Sequence, residues 1–466
     1  MSRWRHPDRL SAVDYSFLSH EEQAGTPTHI GWVLIAEGPA PTPEAFRAHV
    51  VARLHLVPRY RQRLAYPPLQ SARPRWADDA AFDLHYHVRP VALSAPGGMT
   101  ELRELAGRIF SQHLDRSKPL WECWLVDGLT GPDGRQRFAV INKAHHALVD
   151  GASGVDISTV LFDLTPDAAQ PDAPAWTALP PPSPAELAAE GARETIATAV
   201  GAGAATIRAL ASPAQLASSA GHALRGVGQI ARAFASPAPS SSLNVALGAH
   251  RQLDWVRFPL ADFKAVKNRH GGTVNDVYLS VVAGGVGALL RSRGERVDGR
   301  ELRACVPVSL RTGDERGALG NRIAECFAFL PIGERDPLAR YARAVESMAD
   351  VKASGQAMGA QAIAALQEFA PPALLAQASR INNSTRLFNF VCTNVPGPPI
   401  PLYLLGHEVI QVGPVGQLVE RNAVVFVLVS YNGHVELGVT ADAEAVPDLP
   451  VLMNGLTEAA EELFSA

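Results

Sequence analysis

The run His145-His146-Ala147-Leu148-Val149-Asp150-Gly151 constrains this 466-residue chain more than any other stretch. It follows Phe138 to Asn142, a short apolar run that predicts a buried strand. The pair of histidines therefore sits at the end of a rigid element, on a tight turn. Asp150 can hold such a turn by hydrogen bonding, and Gly151 permits a sharp bend or the close approach of a ligand. Imidazole is the side chain best suited to remove a proton near neutral pH. The chemistry this suggests is deprotonation of a hydroxyl or amine that attacks an activated acyl group. Two plainer readings stand beside it. A histidine can be a satisfied structural residue, and paired histidines can bind a metal. The metal reading lacks a third ligand at suitable local spacing.

Composition narrows the class. Hydrophobic residues make up 47% of the chain and charged residues 19%, and the length suffices for two ordinary domains or one large one. The formal net charge of −4 and the lack of a basic stripe interleaved with aromatics give no expectation of nucleic acid. The four cysteines, Cys123, Cys305, Cys326 and Cys392, lie far apart, and three sit in strand-like apolar runs; free buried thiols in a reducing compartment are expected. Met1 to Arg5 leads into no apolar core of a signal peptide, and no stretch of about 18 uninterrupted apolar residues predicts a membrane span. A cytoplasmic location follows as the expectation.

The first unit runs over 1–165. Thr28 to Ala36 predicts a strand, and Pro43 to Leu54 a helix with Phe46, Val50 and Leu54 on one face. Thr100 to Leu114 predicts a second helix. A third is expected from Gly154 to Leu164, with Ile157, Val160, Leu161 and Leu164 inward. Residues 166–240 form a linker. Pro166 to Pro184 is rich in Pro, Ala and Asp and predicts an exposed connection. Ala185 to Ala235 is spaced for helices broken near Pro213. From Thr195 to Ala235 there is no acidic residue, while Arg208, Arg225 and Arg232 are present. That segment is either a helical pair packed on the body or a weakly basic amphipathic surface for anionic lipid.

The second unit, 241–466, repeats the alternation. Thr273-Val274-Asn275-Asp276 is a capping box opening a helix to about Arg293. Leu302 to Leu310 and Ile323 to Leu330 predict strands, and two helices fill Pro337 to Ser379. Leu387 to Thr393 predicts a strand ending in the turn signal Asn394-Val-Pro-Gly-Pro398. Val424 to Tyr431 and His434 to Thr440 flank Asn432-Gly433, a hairpin turn pair, and Pro447 to Phe464 closes the chain as a helix.

These pieces together resemble the bacterial wax ester synthase/diacylglycerol acyltransferase family, within the superfamily related to chloramphenicol acetyltransferase and to condensation domains of peptide synthetases. The resemblance begins at Leu10-Ser-Ala-Val-Asp14 with Phe17-Leu18 and passes through Pro27-Thr-His-Ile-Gly31, Pro58-Arg-Tyr-Arg61, Trp76 with Asp79, and Phe82-Asp83-Leu84. It continues with Leu114-Asp115-Arg116, Pro119-Leu120-Trp121-Glu122, the histidine motif, Asn275-Asp276, Pro307 to Arg311, Gly320-Asn321 and Asn394 to Gly397. Only the histidine motif is specific alone; the order and spacing of the whole set are highly specific. One departure is Thr28, where the family often has methionine.

The resemblance implies an α/β fold of mixed sheets with flanking helices. Two chloramphenicol acetyltransferase-like domains would be joined by the helical linker, with an active-site tunnel at their interface. It implies transfer from acyl-CoA to diacylglycerol or a long-chain alcohol, giving triacylglycerol or wax ester, without an acyl-enzyme. His146 would be the general base, with His145 supporting it, Asp150 an architectural partner, and Gly151 letting the turn close. Asn275 would either aim a donor at the tetrahedral intermediate or merely brace its helix with Asp276. Arg59, Arg61 and Arg63 would meet phosphates or form a solvated face, and Arg311 a phosphate or an internal carboxylate. No metal and no cofactor beyond the CoA of the donor is implied. An apolar product implies peripheral contact with a membrane or lipid droplet. Two other readings stay open at this stage: a related enzyme acting on a polar or carrier-bound alcohol or amine, and a non-catalytic lipid-droplet binding protein.

Overall fold

The computed structural model describes residues 9–149, 160–193, 196, 237–309, 323–354, 356 and 387–466. Asp150, Gly151, Arg311, Gly320 and Asn321 lie outside the described residues, as do most of Ala185 to Ala235 and the second helix expected before Ser379.

Two six-stranded sheets carry the fold. The first contains β1 (His29–Glu37), β4 (Val88–Ala92), β5 (Trp121–Thr130), β6 (Gln136–His145), β11 (Tyr403–Leu404) and β12 (His407–Val415) in the order β11-β12-β1-β6-β5-β4. The second contains β7 (Arg251–Pro259), β8 (Leu302–Ser309), β9 (Ile323–Leu330), β10 (Phe390–Pro396), β13 (Val424–Tyr431) and β14 (His434–Asp442) in the order β7-β14-β13-β10-β8-β9. A small ribbon, β2 (Gln62–Ala65) with β3 (Arg75–Asp78), stands apart. Both large sheets are mixed: β4 runs parallel to β5, and β10 runs parallel to β13 and β8, while their other neighbours are antiparallel. The expected mixed α/β architecture is thus the one observed.

β6 lies inside the first sheet, and its last eight residues, Phe138 to His145, are all buried. The pleat sends Phe138, Val140 and Ala144 into one apolar cluster and Ala139 and Ile141 into another. The second cluster is closed by Leu102, Leu105, Ile109 and Phe110 of helix α4 (Met99–Ser111) and by Leu253 and Trp255 of β7. The strand outruns its expected end at Asn142. Lys143 is fully buried, but its ammonium donates to the Ile109 and Gln112 carbonyls at 2.8 and 2.6 Å, at the end of α4. β1 fits against β6 because residue 31 is glycine: a Cβ there would run into the Asn142 carbonyl.

Three other boundaries differ from expectation. The strand expected to end at Thr393 continues to Pro396, with Asn394, Val395 and Pro396 paired to Leu428, Val429 and Ser430. Proline, which has no N–H to donate, comes last in it. The helix expected to reach Leu164 has ended before then. Leu161 is buried, but Asp163 forms an antiparallel bridge to Tyr403 and Leu164 is exposed. Finally, β11 and β12 come from late in the chain yet extend the first sheet, β12 lying antiparallel to β1.

Helices cover the sheets as their sequences require. α1 (Ala12–Ala24) is capped by Ser11 and stopped by Gly25 in a left-handed conformation. α2 (Pro43–Arg53) follows, with buried Phe46 and Val50 on its inner face; then comes the single turn α3 (Leu84–His87). In the second half, α5 (Leu260–His270) precedes α6 (Val274–Ser292), of which all but a few residues are buried. α7 (Pro337–Ala353) and α8 (Leu449–Ser465) pack beside α6. Asn432 and Gly433 turn the β13–β14 hairpin with positive φ at both positions. The linker residues 170–179 lie along the first half: Arg53 donates to Gln170, Arg61 stacks over Trp176, and the Leu179 N–H reaches Asp78. Among the described residues no single helix is long and apolar enough to cross a membrane.

Candidate active site

The ladder between β1 and β6 ends by pairing His29 with His145, which sets Thr28 beside His146. The chain then turns. The His146 N–H donates to the Thr28 carbonyl at 2.9 Å, and the Leu148 N–H to the His145 carbonyl at 2.9 Å. The His145 ring points back into the protein. Its Nδ1 accepts the Ala147 N–H at 3.0 Å, so the ring proton is on Nε2. Nε2 lies 2.7 Å from Glu21 Oε2 and 2.8 Å from Thr28 Oγ1.

Glu21, in the last turn of α1, is the hub behind the turn. It receives His145, His113 Nδ1 at 2.5 Å and Arg116 at 3.0 Å, and His29 Nε2 stands 3.7 Å away. Burial alone would raise the Glu21 carboxyl. The hydrogen bond and charge of His145, the charge of His29 and the hydrogen bond from His113 outweigh it and hold the group well below the usual carboxylate range. Burial lowers His145 as well, against the pull of Glu21. His29 is pushed well below its ordinary value, first by burial and then by Lys143 and His145.

His146 meets a different residue of α1. Its ring stacks on Phe17 of α1, centroids 4.0 Å apart and planes 26° apart. It is partly accessible, and no other described residue hydrogen-bonds its buried Nδ1. Burial, and next the charge of His145, push its pKa down to about 4. Near neutrality it is an uncharged imidazole with acceptor capacity.

The second half presents Asn275 in the first turn of α6. The capping box expected there is formed: Asp276 Oδ2 accepts the Thr273 N–H and hydroxyl, both at 2.8 Å, and Thr273 Oγ1 accepts the Asp276 N–H at 3.3 Å. Asp276 is buried and serves the cap. Asn394, near the end of β10, donates its side-chain amide to Asn275 Oδ1 at 3.4 Å, leaving the Asn275 NH2 group directed elsewhere. Among the described residues, no hydrogen bond or ring contact joins His146 to Asn275.

Trp121 is wholly buried on β5, donating to the Tyr60 carbonyl at 2.8 Å and stacking on His87. Glu122 faces Lys143 at 3.9 Å and Arg89 at 3.2 Å. Arg59 lies over Trp76, Arg61 over Trp176, and Arg63 is 3.8 Å from Asp79, so aromatic faces and a carboxylate engage that basic cluster. All four cysteines are buried and unpaired. Among the described residues no group of three His, Cys, Asp or Glu side chains is arranged to hold a metal ion.

Sequence reasoning assigned no role to Glu21, Thr28, His29, His113 or Arg116. One signal was available for Glu21. It falls on the stripe of Tyr15 and Leu18, where an amphipathic helix presents its core face. A carboxylate at such a position needs a buried partner. The hydroxyl of Thr28 contacts the first histidine.

The two-sheet fold is shared with condensation domains. The first condensation domain of the calcium-dependent antibiotic synthetase superposes with a TM-score of 0.60 over 99% of this chain and 97% of its own, at 16% identity. The wax ester synthase/diacylglycerol acyltransferase from Marinobacter aquaeolei VT8 superposes with a TM-score of 0.66, at 25% identity, over 98% of both chains. A probable diacylglycerol O-acyltransferase of Mycobacterium tuberculosis is 29% identical over 98% of this chain and 96% of its own. A putative diacylglycerol O-acyltransferase of Mycobacterium bovis is 32% identical over 98% of this chain and 99% of its own. The wax ester synthase/diacylglycerol acyltransferase catalytic domain matches residues 10–278, and the C-terminal domain of the same family matches 319–464. The chain belongs to the wax ester synthase/diacylglycerol acyltransferase family and is an acyltransferase.

Proposed function

We propose that this protein is an acyl-CoA-dependent O-acyltransferase that esterifies diacylglycerol or a long-chain alcohol, with His146 as general base. The observation that carries the reading is the imidazole of His146, uncharged near neutrality, partly accessible, and mounted on a turn whose neighbouring ring is tied into the interior. The acceptor hydroxyl attacks the thioester carbonyl as His146 takes its proton. Collapse of the tetrahedral intermediate breaks the C–S bond, and the same proton passes to the departing CoA sulfur. No acyl-enzyme forms. An amide donor aimed at the developing oxyanion lowers the barrier by a few kcal/mol, and we assign that role to the NH2 of Asn275, whose oxygen accepts from Asn394. In this proposal Asp150 and Gly151, which lie outside the described residues, keep the roles that the family resemblance implies, an architectural partner and a residue that lets the turn close. The reaction needs no metal and no cofactor beyond the CoA of the donor. On this reading the apolar acceptor and product call for peripheral contact with the surface of a membrane or lipid droplet.

The test is acyl transfer from radiolabelled palmitoyl-CoA by purified protein, with hexadecanol and dipalmitoylglycerol offered separately. Ester should form with at least one acceptor, and His146→Ala should lower the rate roughly 10²- to 10⁴-fold. Ester formation that survives His146→Ala would sink the base assignment. No ester from folded wild-type protein with either acceptor would sink the substrate class.

A further inference from the structure

We propose that Thr28 and Glu21 are positioning residues that fix the turn carrying His146 by clamping His145. The proposal rests on the reading of His146 as the base. Both act at a distance from the reacting atoms, through a continuous set of hydrogen bonds. Arg116 and His113 hold the Glu21 carboxylate at 3.0 and 2.5 Å. The carboxylate and the Thr28 hydroxyl flank Nε2 of His145 at 2.7 and 2.8 Å. The other nitrogen of that ring takes the N–H of Ala147, the residue following His146. Thr28 also holds the residue itself, since its carbonyl accepts the His146 N–H. The backbone is therefore fixed on both sides of His146.

The arrangement has little slack. His145 and Thr28 are 1% exposed and Glu21 5%, so water does not substitute for a lost partner at no cost. Helix α1 contributes twice. Phe17, against which the His146 ring stacks, and Glu21, which anchors His145, are four residues apart and lie on one helix face. The wall beside the base and the anchor behind it thus move as one body. A small rotation of the turn would swing the ring of His146 off the acceptor hydroxyl, and misplacement by about 1 Å costs a large factor in rate.

The experiment is a double-mutant cycle read by steady-state acyl transfer. Thr28→Val removes the hydroxyl and keeps the shape. It should lower kcat roughly tenfold while KM stays within about twofold, and Thr28→Ser should restore most of the rate. In a His145→Ala background, Thr28→Val should cause no further loss, because the clamp it completes is already gone. Glu21→Gln keeps an acceptor for His145 and removes the charge, and should also lower kcat; if it fails to fold, the Thr28 pair carries the test. Unchanged kcat in Thr28→Val, or losses that multiply in the double variant, would overturn the proposal while leaving the base assignment standing. If wild-type protein makes no ester, the functional reading fails, and the clamp is then read directly from nitrogen-15 spectra of histidine-labelled protein. His145 protonated on Nε2 in the wild type, with its signal displaced in Thr28→Val, supports the clamp; protonation on Nδ1 overturns it.

Discussion

At the scale of the residue, the feature that sets this chain's pH behaviour is the company His146 keeps. Its ring lies against Phe17, and burial takes it from an ordinary 6.5 to about 4. On the proposed reading the ring of His146 must be unprotonated to act as base, so activity is lost as the ring gains its proton. The acidic limb of the kcat/KM profile should therefore have its midpoint near about 4. Phe17→Ala tests the cause. Opening that face to water removes part of the burial, so the midpoint should move up towards 6.5 while the limb keeps its sign. A profile measured between about pH 3 and 8 on both proteins decides the matter, and a limb that stays put in Phe17→Ala would sink the argument. The same shift has a stability counterpart. Between 6.5 and about 4 the unfolded chain binds a proton at His146 that the folded chain refuses. Stability from this group therefore falls as pH is lowered through that window.

At the scale of the element, the start of α6 couples stability to placement of Asn275. Asp276 is buried, and its carboxylate holds both the N–H and the hydroxyl of Thr273. Asp276→Ala removes one half of the capping box and should cost about 1–2 kcal/mol in urea unfolding. Asn275 rides on the same turn, so kcat should fall with it; a variant as stable as wild type would refute the structural weight given to the box. This element was legible because a capping box is local: Thr273 and Asp276 are three residues apart. The β13–β14 hairpin was legible for the same reason, since Asn432-Gly433 carries its own turn preference. The strand into His145 was read from its apolar run, but its last residues were not, because Lys143 looks polar until α4 supplies carbonyls from 31 to 34 residues away. Glu21 escaped for a stronger form of that reason. Its partners His113 and His145 are 92 and 124 residues distant in sequence, so nothing local says which carboxylate meets which imidazole. The placement of β12 beside β1, pairing Gly31 with Val415, is likewise a fact of topology.

At the scale of the whole molecule, the two sheets meet where β12, which belongs to the first, passes close to β14 of the second. Glu436 of β14 sits in that contact, 1% exposed, accepting from Gln411 of β12 at 3.1 Å and standing 3.3 Å from Arg257 of β7. Burial pushes its carboxyl up to about 8, against the pull of Gln411 and then Arg257. The sign of the consequence is fixed. Below the ordinary value of 4.5 both folded and unfolded chains hold the proton; between 4.5 and about 8 only the folded chain does. Folding stability should therefore decline as pH rises through that interval, by an amount on the order of a few kcal/mol. Burial of His87, which takes its imidazole down to about 4, acts with His146 in the opposite sense on the acid side. Together these groups predict greatest stability at mildly acidic pH, with a loss on either side. Glu436→Gln separates the contributions, because glutamine keeps an oxygen for Gln411 and has no proton to lose. Near about pH 5 the variant and wild type should melt together, and above about pH 8 the variant should melt several degrees higher. Thermal unfolding at those two pH values is the measurement. A difference in Tm that is the same at both would mean that the contact between the sheets does not hold a protonated carboxyl, and the alkaline loss would need another source.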